Sequence, residues 1–277
     1  MAANGISGTE ERHAVISNAK LTVTGDFALT HTDLNNSTLD MQQSGDTTVD
    51  SKLTNADVIN NGKGTLTLSN PANSIKSIEA AMGQVSLLNT DALSLTRLAI
   101  ADNLAVSVYQ DGSATPGAGD VNVGSVTVNG LLSAGVGSTL EGNLNLAAGA
   151  VLDVTAAGLN LGCTLTLNAG LTLAEQGVNM DWDALAAATP ANTYLLFTGA
   201  DSFTLAGGLQ EYTDCTLTLG DHVDAATYFT NLEQGRYYMV ATQVNGAWNI
   251  GIVPEPATAT LSLLALATLA LRRRRKA

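Results

Sequence analysis

Short stretches of alternating apolar and polar residues recur along this chain at an interval of about 20 residues. Alternation with period two predicts β-strands, and a short strand repeat of this kind cannot bury its apolar face unless neighbouring repeats stack on it. We therefore expect an all-β fold, a right-handed parallel β-solenoid, because parallel crossovers are right-handed. The repeat is marked at nearly even spacing by Leu66, Val85, Leu104, Val123, Leu144 and Leu165.

The same alternation predicts which side chains face the inside of the coils between about residues 45 and 175. Every second residue of each stretch is Leu or Val, which fits a strand with one buried face. The predicted inward positions are Leu66, Leu68, Val85, Leu87, Leu104, Val106, Leu144, Leu146, Leu165 and Leu167.

Aromatic residues divide the chain near residue 180. Of the twelve, only Phe27 and Tyr109 precede it. A short helix is expected from Asp183 to Thr189, and a hairpin turn at Asn245-Gly246, which suits type I′ geometry. We interpret the aromatic residues as the core of a cap rather than as a ligand platform. The predicted domains are a solenoid start or cap over 1–44, the solenoid over 45–179, a β-rich cap over 180–252 and a tail over 253–277.

The tail has three parts in a fixed order. Pro254, Glu255 and Pro256 precede an apolar run from Ala257 to Leu271, and a cationic cluster follows. A helix of fifteen residues is about 22 Å long, against a hydrocarbon core of about 30 Å, so it spans a bilayer only with thinning and snorkelling. The cluster should stay on the cytoplasmic side and leave the body outside. It consists of Arg272, Arg273, Arg274, Arg275 and Lys276.

This order of motif, apolar helix and arginine cluster resembles the PEP-CTERM signal of exosortase substrates. The resemblance covers residues 253 to 276. It implies a protein exported by a Gram-negative bacterium that makes extracellular polysaccharide. It also implies a hydrophobic sorting helix that anchors the chain transiently in the inner membrane, and an integral-membrane cysteine protease, the exosortase, that cuts at Pro254-Glu255-Pro256. The body resembles the passenger regions of autotransporter-like surface proteins in its general sequence pattern only, and this resemblance implies no functional residues.

Two other interpretations of the tail are a buried helix and a nucleic-acid patch. The formal net charge of −13, with positive charge concentrated in the tail, opposes binding of the body to nucleic acid. Export predicts a signal peptide, yet Met1 to Lys20 contains Glu10 and Glu11 and no apolar stretch. We expect a truncated or misassigned start. The alternative is a cytoplasmic protein with a coincidental tail.

Cys163 and Cys215 lie on either side of the predicted boundary. A disulfide between them would tie the cap to the solenoid and contribute about 4 kcal/mol by closing a loop of about 50 residues. Free buried thiols are the equal alternative.

The residues that carry chemistry are sparse. His13, His31 and His222 lack metal-ligand spacing. Asp181 and Asp183 flank Trp182, a pattern that a carbohydrate-cleaving enzyme could use. We favour solvated or helix-capping aspartates instead, and solvated turns also explain the regular spacing of Asp102, Asp111 and Asp120 better than a Ca²⁺ site does.

Two functions remain open from the sequence. The first is a structural or adhesive protein of the cell envelope or extracellular matrix, with polysaccharide or other surface proteins as partners. The second is a secreted polysaccharide hydrolase or lyase on the same scaffold. We expect the first, without catalysis, cofactor or metal, because body arginines and lysines are few and do not cluster with acids.

Overall fold

The computed structural model of the chain is an all-β molecule whose parallel strands wind into a solenoid of about seven turns. The predicted β-solenoid is thereby confirmed. The structure describes residues 5–7, 12–24, 28–113, 122–209, 211–213, 215–217, 221 and 223–255. The predicted sorting helix lies outside these residues.

Twenty-five strands are described. The first thirteen are β1 Gly5–Ser7, β2 Ala14–Ser17, β3 Lys20–Val23, β4 Ala28–Thr30, β5 Thr32–Asn35, β6 Thr38–Met41, β7 Thr47–Val49, β8 Leu53–Asn60, β9 Leu66–Leu68, β10 Ser74–Ala80, β11 Val85–Leu87, β12 Ala92–Ile100 and β13 Ala105–Val108. The others are β14 Ser125–Ala134, β15 Thr139–Glu141, β16 Asn143–Leu146, β17 Val151–Val154, β18 Ala157–Leu161, β19 Thr164–Asn168, β20 Thr172–Leu173, β21 Tyr194–Ala200, β22 Ser202–Ala206, β23 Tyr212–Thr213, β24 Tyr237–Val244 and β25 Ala247–Pro254.

The strands form a fourteen-stranded sheet, a nine-stranded sheet and the separate pair β1–β4. In the larger sheet β14 is long enough to pair with two strands of the next coil, β16 along its first half and β17 along its second half. The register shifts between Leu95 and Arg97, opposite Gly130, where the strands turn a corner. A Cβ on Gly130 would lie 2.1 Å from the carbonyl oxygen of Thr96, so this corner requires glycine.

The coil length can be read from residues paired across neighbouring strands. Val58, Ile78 and Leu98 are successive partners, and each step is one coil of about 20 residues, in agreement with the predicted repeat. The next partner in this row is Leu132, so the step from Leu98 is much longer. The additional length lies after Tyr109, which forms an antiparallel bridge to Val123. One coil therefore carries an insertion that the sequence markers did not reveal.

The marker Leu104 was misassigned for a separate reason, because it lies before this insertion. Leu66 and Val85 are partners in the nine-stranded sheet, but the next partner is Val106 rather than Leu104. Leu104 is accordingly only partly buried. The other nine predicted inward residues are at most 2% exposed: Leu66, Leu68, Val85, Leu87, Val106, Leu144, Leu146, Leu165 and Leu167.

Asparagine forms several corners of the coils. Asn18, Asn36 and Asn55 have φ of 55°, 47° and 48°, a left-handed conformation that asparagine tolerates better than most residues. The Nδ2 of Asn55 donates to the Oδ1 of Asn36 at 2.7 Å. Corner side chains therefore connect one coil to the next.

Parallel stacking continues past residue 180. Strand β21 pairs with β18 and β22 with β19, so the aromatic region begins on the solenoid ladder itself. The helix α1, Trp182–Ala186, lies in sequence between β20 and β21. It starts one residue before the predicted helix and is shorter. We call residues 12–179 the body and residues 180–255 the cap.

The predicted hairpin is present. Strands β24 and β25 pair antiparallel through Asn245 and Gly246, whose φ values of 53° and 90° fit a type I′ turn. Strand β25 also pairs antiparallel with β21, which ends the parallel stacking.

Aromatic side chains fasten the cap to the body. The hydroxyl of Tyr194 donates to the carbonyl oxygen of Val154 at 2.8 Å and accepts from the backbone N–H of Asp181 at 3.2 Å. Phe203 and Trp248 meet edge to face, with centroids 5.3 Å apart. The residues from 194 onward therefore close the last coils, as terminal repeats of a solenoid must.

Candidate functional site

The first candidate site is the end of β25, where Pro254-Glu255-Pro256 begins. Ile252 and Val253 are fully buried, and Pro254 pairs with Tyr237 at the end of the hairpin. The backbone N–H of Glu255 donates to the carbonyl oxygen of Arg236 at 2.8 Å. The motif therefore follows the last central strand of the cap without an intervening loop.

Charged side chains surround this point. The Arg236 guanidinium contacts the Glu233 carboxylate at 2.8 Å and lies 5.8 Å from the ring centroid of Tyr237. Desolvation, and then the carboxylates of Glu255 and Asp224, raise the pKa of Tyr238. The exposed Glu255 carboxylate is thus part of a mixed-charge rim around the strand end.

Pro256 and the cationic residues Arg272, Arg273, Arg274, Arg275 and Lys276 lie outside the described residues. Among the residues that are described, no helix has the length and apolar character needed to cross a membrane.

The second candidate site is a row of outward side chains on the fourteen-stranded sheet. Alternation buries Leu144 and Leu146 and turns Asn143 and Asn145 outward. Register extends this pattern over neighbouring coils, about 4.8 Å apart, with about 7 Å between outward residues of one strand. We call this surface the polar face; its members are Ser94, Ser125, Thr127, Asn143, Asn145, Thr164, Thr166, Ser202 and Thr204.

All nine members of the polar face carry a neutral hydroxyl or amide. Several of them bond along the solenoid axis: the Thr164 hydroxyl donates to Asn143 Oδ1 at 2.8 Å, and Asn129 Nδ2 donates to Ser94 Oγ at 2.8 Å. Such bonds fix the side chains in rows. The face thus offers a regular, uncharged set of donors and acceptors on an otherwise acidic chain.

Sequence reasoning missed a buried acid at the junction of body and cap. Asp153 is 4% exposed, and its Oδ1 accepts from the backbone N–H of Asn179 and of Met180, each at 3.0 Å. The Ser133 hydroxyl and the Asn179 amide also lie within 3.5 Å of its Oδ2. Asp153 takes an outward position in β17, so the sequence pattern did not indicate that it is buried. The segment that covers it is distant in sequence.

The acids proposed for carbohydrate cleavage have local roles. The Asp181 carboxylate caps α1 by accepting from the backbone N–H of Ala184 at 2.9 Å. Asp183 is exposed in the first turn of that helix, where a carboxylate is favoured by the helix dipole. No described contact joins the two acids.

The three regularly spaced aspartates likewise have separate local contacts or lie outside the described residues. Asp102 accepts from the backbone N–H of Val136 at 2.8 Å. Asp111 accepts from the N–H and hydroxyl of Ser113, and these two bonds lower the pKa of its carboxyl. Asp120 lies outside the described residues, as does His222.

Two histidines meet at the start of the body. The rings of His13 and His31 are 5.6 Å apart, and His13 Nδ1 lies 3.0 Å from Asp33 Oδ1. Within the ranges given for the structure, no three His, Cys, Asp or Glu side chains are arranged to hold a metal ion.

Cys163 and Cys215 are separate thiols in the structure. Burial raises the pKa of Cys163 to about 11, which keeps the thiol protonated and unreactive at neutral pH. A disulfide between them stays a prediction.

The fold and the end of β25 define a class of protein: a β-solenoid closed by a cap that ends directly in a tail. Residues 253–276 match the family model of the PEP-CTERM protein-sorting motif. The chain is therefore an exported β-solenoid protein with a membrane-associated C-terminal tail, and its signal is of the kind that exosortase, a membrane protein, recognises. Searches of curated proteins and of solved structures each found no match.

Proposed function

We propose that the exported protein is a structural or adhesive protein of the cell envelope or extracellular matrix. In this proposal the polar face contacts neutral polysaccharide or neighbouring surface proteins, and neither the body nor the cap performs catalysis. The observation that carries it is the register of the nine polar-face side chains, which repeat at the spacing of the coils.

A repeated neutral face favours many weak contacts over one tight site. Each hydroxyl or amide exchanges a bond to water for a bond to the partner, so the net gain per contact is about 1 kcal/mol. Displaying many copies on a surface raises the effective affinity without any deep pocket. Such binding suits a chain that is held at the cell surface in quantity.

The net charge of the chain also limits which polysaccharides could bind the neutral polar face. An acidic polysaccharide would be repelled by the net charge of the chain, whereas a neutral one would not. Buried aspartate Asp153 and helix cap Asp181 already serve backbone N–H groups, which supports a role without acid–base catalysis.

The proposal can be tested with the purified full chain displayed on beads and an insoluble neutral polysaccharide. Thr166→Asp places a charge in the centre of the polar face and should reduce retention about fivefold or more. Thr139→Asp is the matched control, because Thr139 is also half-exposed but lies in the nine-stranded sheet. Equal loss in both variants, or no retention of the wild type, would contradict a role for this face.

The same samples test the absence of catalysis. We expect no new reducing ends over a broad panel of polysaccharides. Robust turnover that disappears in Asp181→Ala or Asp183→Ala would replace the structural role with a hydrolase or lyase.

A further inference from the structure

We propose that the polar face binds neutral polysaccharide in one form, a straight, β-1,4-linked chain that lies along the solenoid axis with one sugar ring on each coil. This inference rests on the contact with neutral polysaccharide in the proposed function, and it adds the linkage and the direction of the bound chain. Its physical basis is the shape of the polar face and the interval at which the side chains of that face repeat.

The polar face is long along the solenoid axis and narrow across it. The central strand β16 turns Asn143 and Asn145 outward, so the face is two side chains wide. Their partners continue this pattern into two columns that cross β12, β14, β16, β19 and β22. One column is Ser94, Thr127, Asn145, Thr166 and Thr204, and the other is Ser125, Asn143, Thr164 and Ser202. A surface of this shape fits a single extended polymer chain better than a globular partner.

The repeat along the polar face matches a straight sugar chain. Strands of neighbouring coils lie about 4.8 Å apart. In a β-1,4-linked glucan both bonds that join the rings are equatorial, so the chain is straight and each ring advances by nearly the same interval. A β-1,3 or α-1,4 linkage curves the chain into a helix, which carries successive rings away from the face. Of these three chains, the straight one alone keeps each ring beside its own coil.

The width of the polar face also fits such a chain. Outward residues of one strand lie about 7 Å apart, and every sugar ring carries hydroxyl groups on both of its edges. A chain that lies between the two columns therefore presents one edge to each column. Because neighbouring rings of a β-1,4-linked chain are turned over relative to each other, both columns meet the same kinds of hydroxyl. This agrees with the similar hydroxyl and amide composition of the two columns.

The side chains of the polar face are oriented but keep capacity for further hydrogen bonds. Thr164 donates to Asn143 Oδ1 at 2.8 Å, and Asn168 donates to Asn145 Oδ1 at 2.9 Å. An amide has two N–H groups and an oxygen that accepts two bonds, so one bond along the axis leaves the others for a ligand. Side chains that are already held in place lose little freedom on binding, which favours the contact.

The first test uses the length of the bound chain. We expect the affinity of β-1,4-linked gluco-oligosaccharides for the immobilised full chain to rise about fivefold with each added ring, the equivalent of one net hydrogen bond. The rise should end at five rings, because five strands carry the polar face. Affinity chromatography of an oligosaccharide series measures this dependence. Affinity that is independent of length, or that keeps rising at the same rate beyond five rings, would overturn the contact of one ring with each coil.

The second test separates this inference from the proposed function. Oligosaccharides with equal numbers of glucose rings, linked β-1,4, β-1,3 or α-1,4, are passed over the same column. We expect the β-1,4-linked form to bind at least about fivefold more tightly, since a curved chain loses at least one net hydrogen bond. Equal binding of all three, or tighter binding of a curved form, would overturn the straight-chain inference and leave the contact with neutral polysaccharide intact. Binding of none of them would overturn both.

The third test locates the last coil of the polar face. Thr204→Val removes a hydroxyl but keeps a β-branched side chain, so the strand is retained. The variant should bind a five-ring β-1,4-linked oligosaccharide about fivefold more weakly and a four-ring one as the wild type does, because the other four coils still hold it. Thr139→Val, in the nine-stranded sheet, is the matched control and should change neither affinity. Equal weakening of both lengths by Thr204→Val, or the same loss in the control, would contradict the proposal.

Discussion

The body packs leucine, valine and isoleucine in rows that repeat from coil to coil, whereas the cap packs tyrosine, phenylalanine and tryptophan that each occur in one place. Rows of aliphatic residues let any coil stack on any other, so the body can be extended by repetition. The aromatic side chains of the cap instead make individual contacts, such as that of Tyr194 with Val154. The difference shows how one chain both propagates and ends a solenoid.

The exposed edges of strands are also covered differently in the body and in the cap. In the body, edges are covered by the next parallel strand. In the cap, Asn231 acts in place of a strand: its Oδ1 accepts from the N–H of Leu173 at 3.0 Å, and its Nδ2 donates to the Leu173 carbonyl at 2.8 Å. Covering the last edge prevents further pairing, which is the usual hazard of an exposed strand.

The largest expected effect separates buried rows from outward rows of the body. Leu146→Lys places a charge in the stacked core and should destabilise by about 5 kcal/mol or more, enough to unfold the coil. Asn145→Lys, one residue away but outward, loses the hydrogen bond from Asn168 and should lower the free energy of unfolding by only about 1 kcal/mol. Urea denaturation followed by circular dichroism measures both, and equal midpoints would contradict the assigned rows.

The next effect concerns the junction between the two regions. Asp153→Ala leaves the half-buried N–H of Asn179 and the buried N–H of Met180 without an acceptor and should cost about 3 kcal/mol. We expect faster hydrogen exchange at residues 178–180 and a shift in the emission of Trp182. Asp183→Ala is the control and should cost below about 1 kcal/mol, since that side chain is exposed. Unchanged exchange in Asp153→Ala would show that the acid does not join the regions.

The smallest expected effect is a difference between the cap and the body in how their stability depends on pH. Burial raises the pKa of Cys163 from 9.0 to about 11 and that of Tyr228 from 10.0 to about 12. Both groups lie in or against the cap, so its stability should be complete below pH 9 and decline as the pH rises toward 12. Each group contributes on the order of 1 to 2 kcal/mol.

Tryptophan fluorescence follows this alkaline transition, because Trp182 and Trp248 both belong to the cap. Circular dichroism should change at higher pH, when the body unfolds. In the acid range the body should lose stability before the cap, because Asp40 lies in the body. Burial alone would raise the pKa of Asp40, but hydrogen bonds from Lys20, Asn61 and Gln42 outweigh burial and lower that pKa. Stability from Asp40 is lost as the pH falls below about 3.8. Simultaneous alkaline changes in both signals would contradict a cap that titrates separately.

Much of this architecture could be predicted from sequence because it depends on local patterns. Alternation identified nine of ten inward residues, and Asn245-Gly246 identified the hairpin. The sorting motif is also a local pattern, at residues 253–276. Contacts between distant segments were not predictable: the even spacing of the markers did not reveal the insertion after Tyr109, and the segment that covers Asp153 lies well beyond the strand that carries it. The polar face likewise needed the true register, which the insertion had hidden.

The most direct test of the account is a distance across the polar face. Spin labels at Ser94→Cys and Thr204→Cys, with Cys163 and Cys215 replaced by alanine, are far apart in sequence but only four register steps apart in the solenoid. At about 4.8 Å per step, pulsed dipolar spectroscopy should give one narrow distance of about 19 Å. A broad distribution, or a distance well beyond that value, would contradict stacked coils in this register.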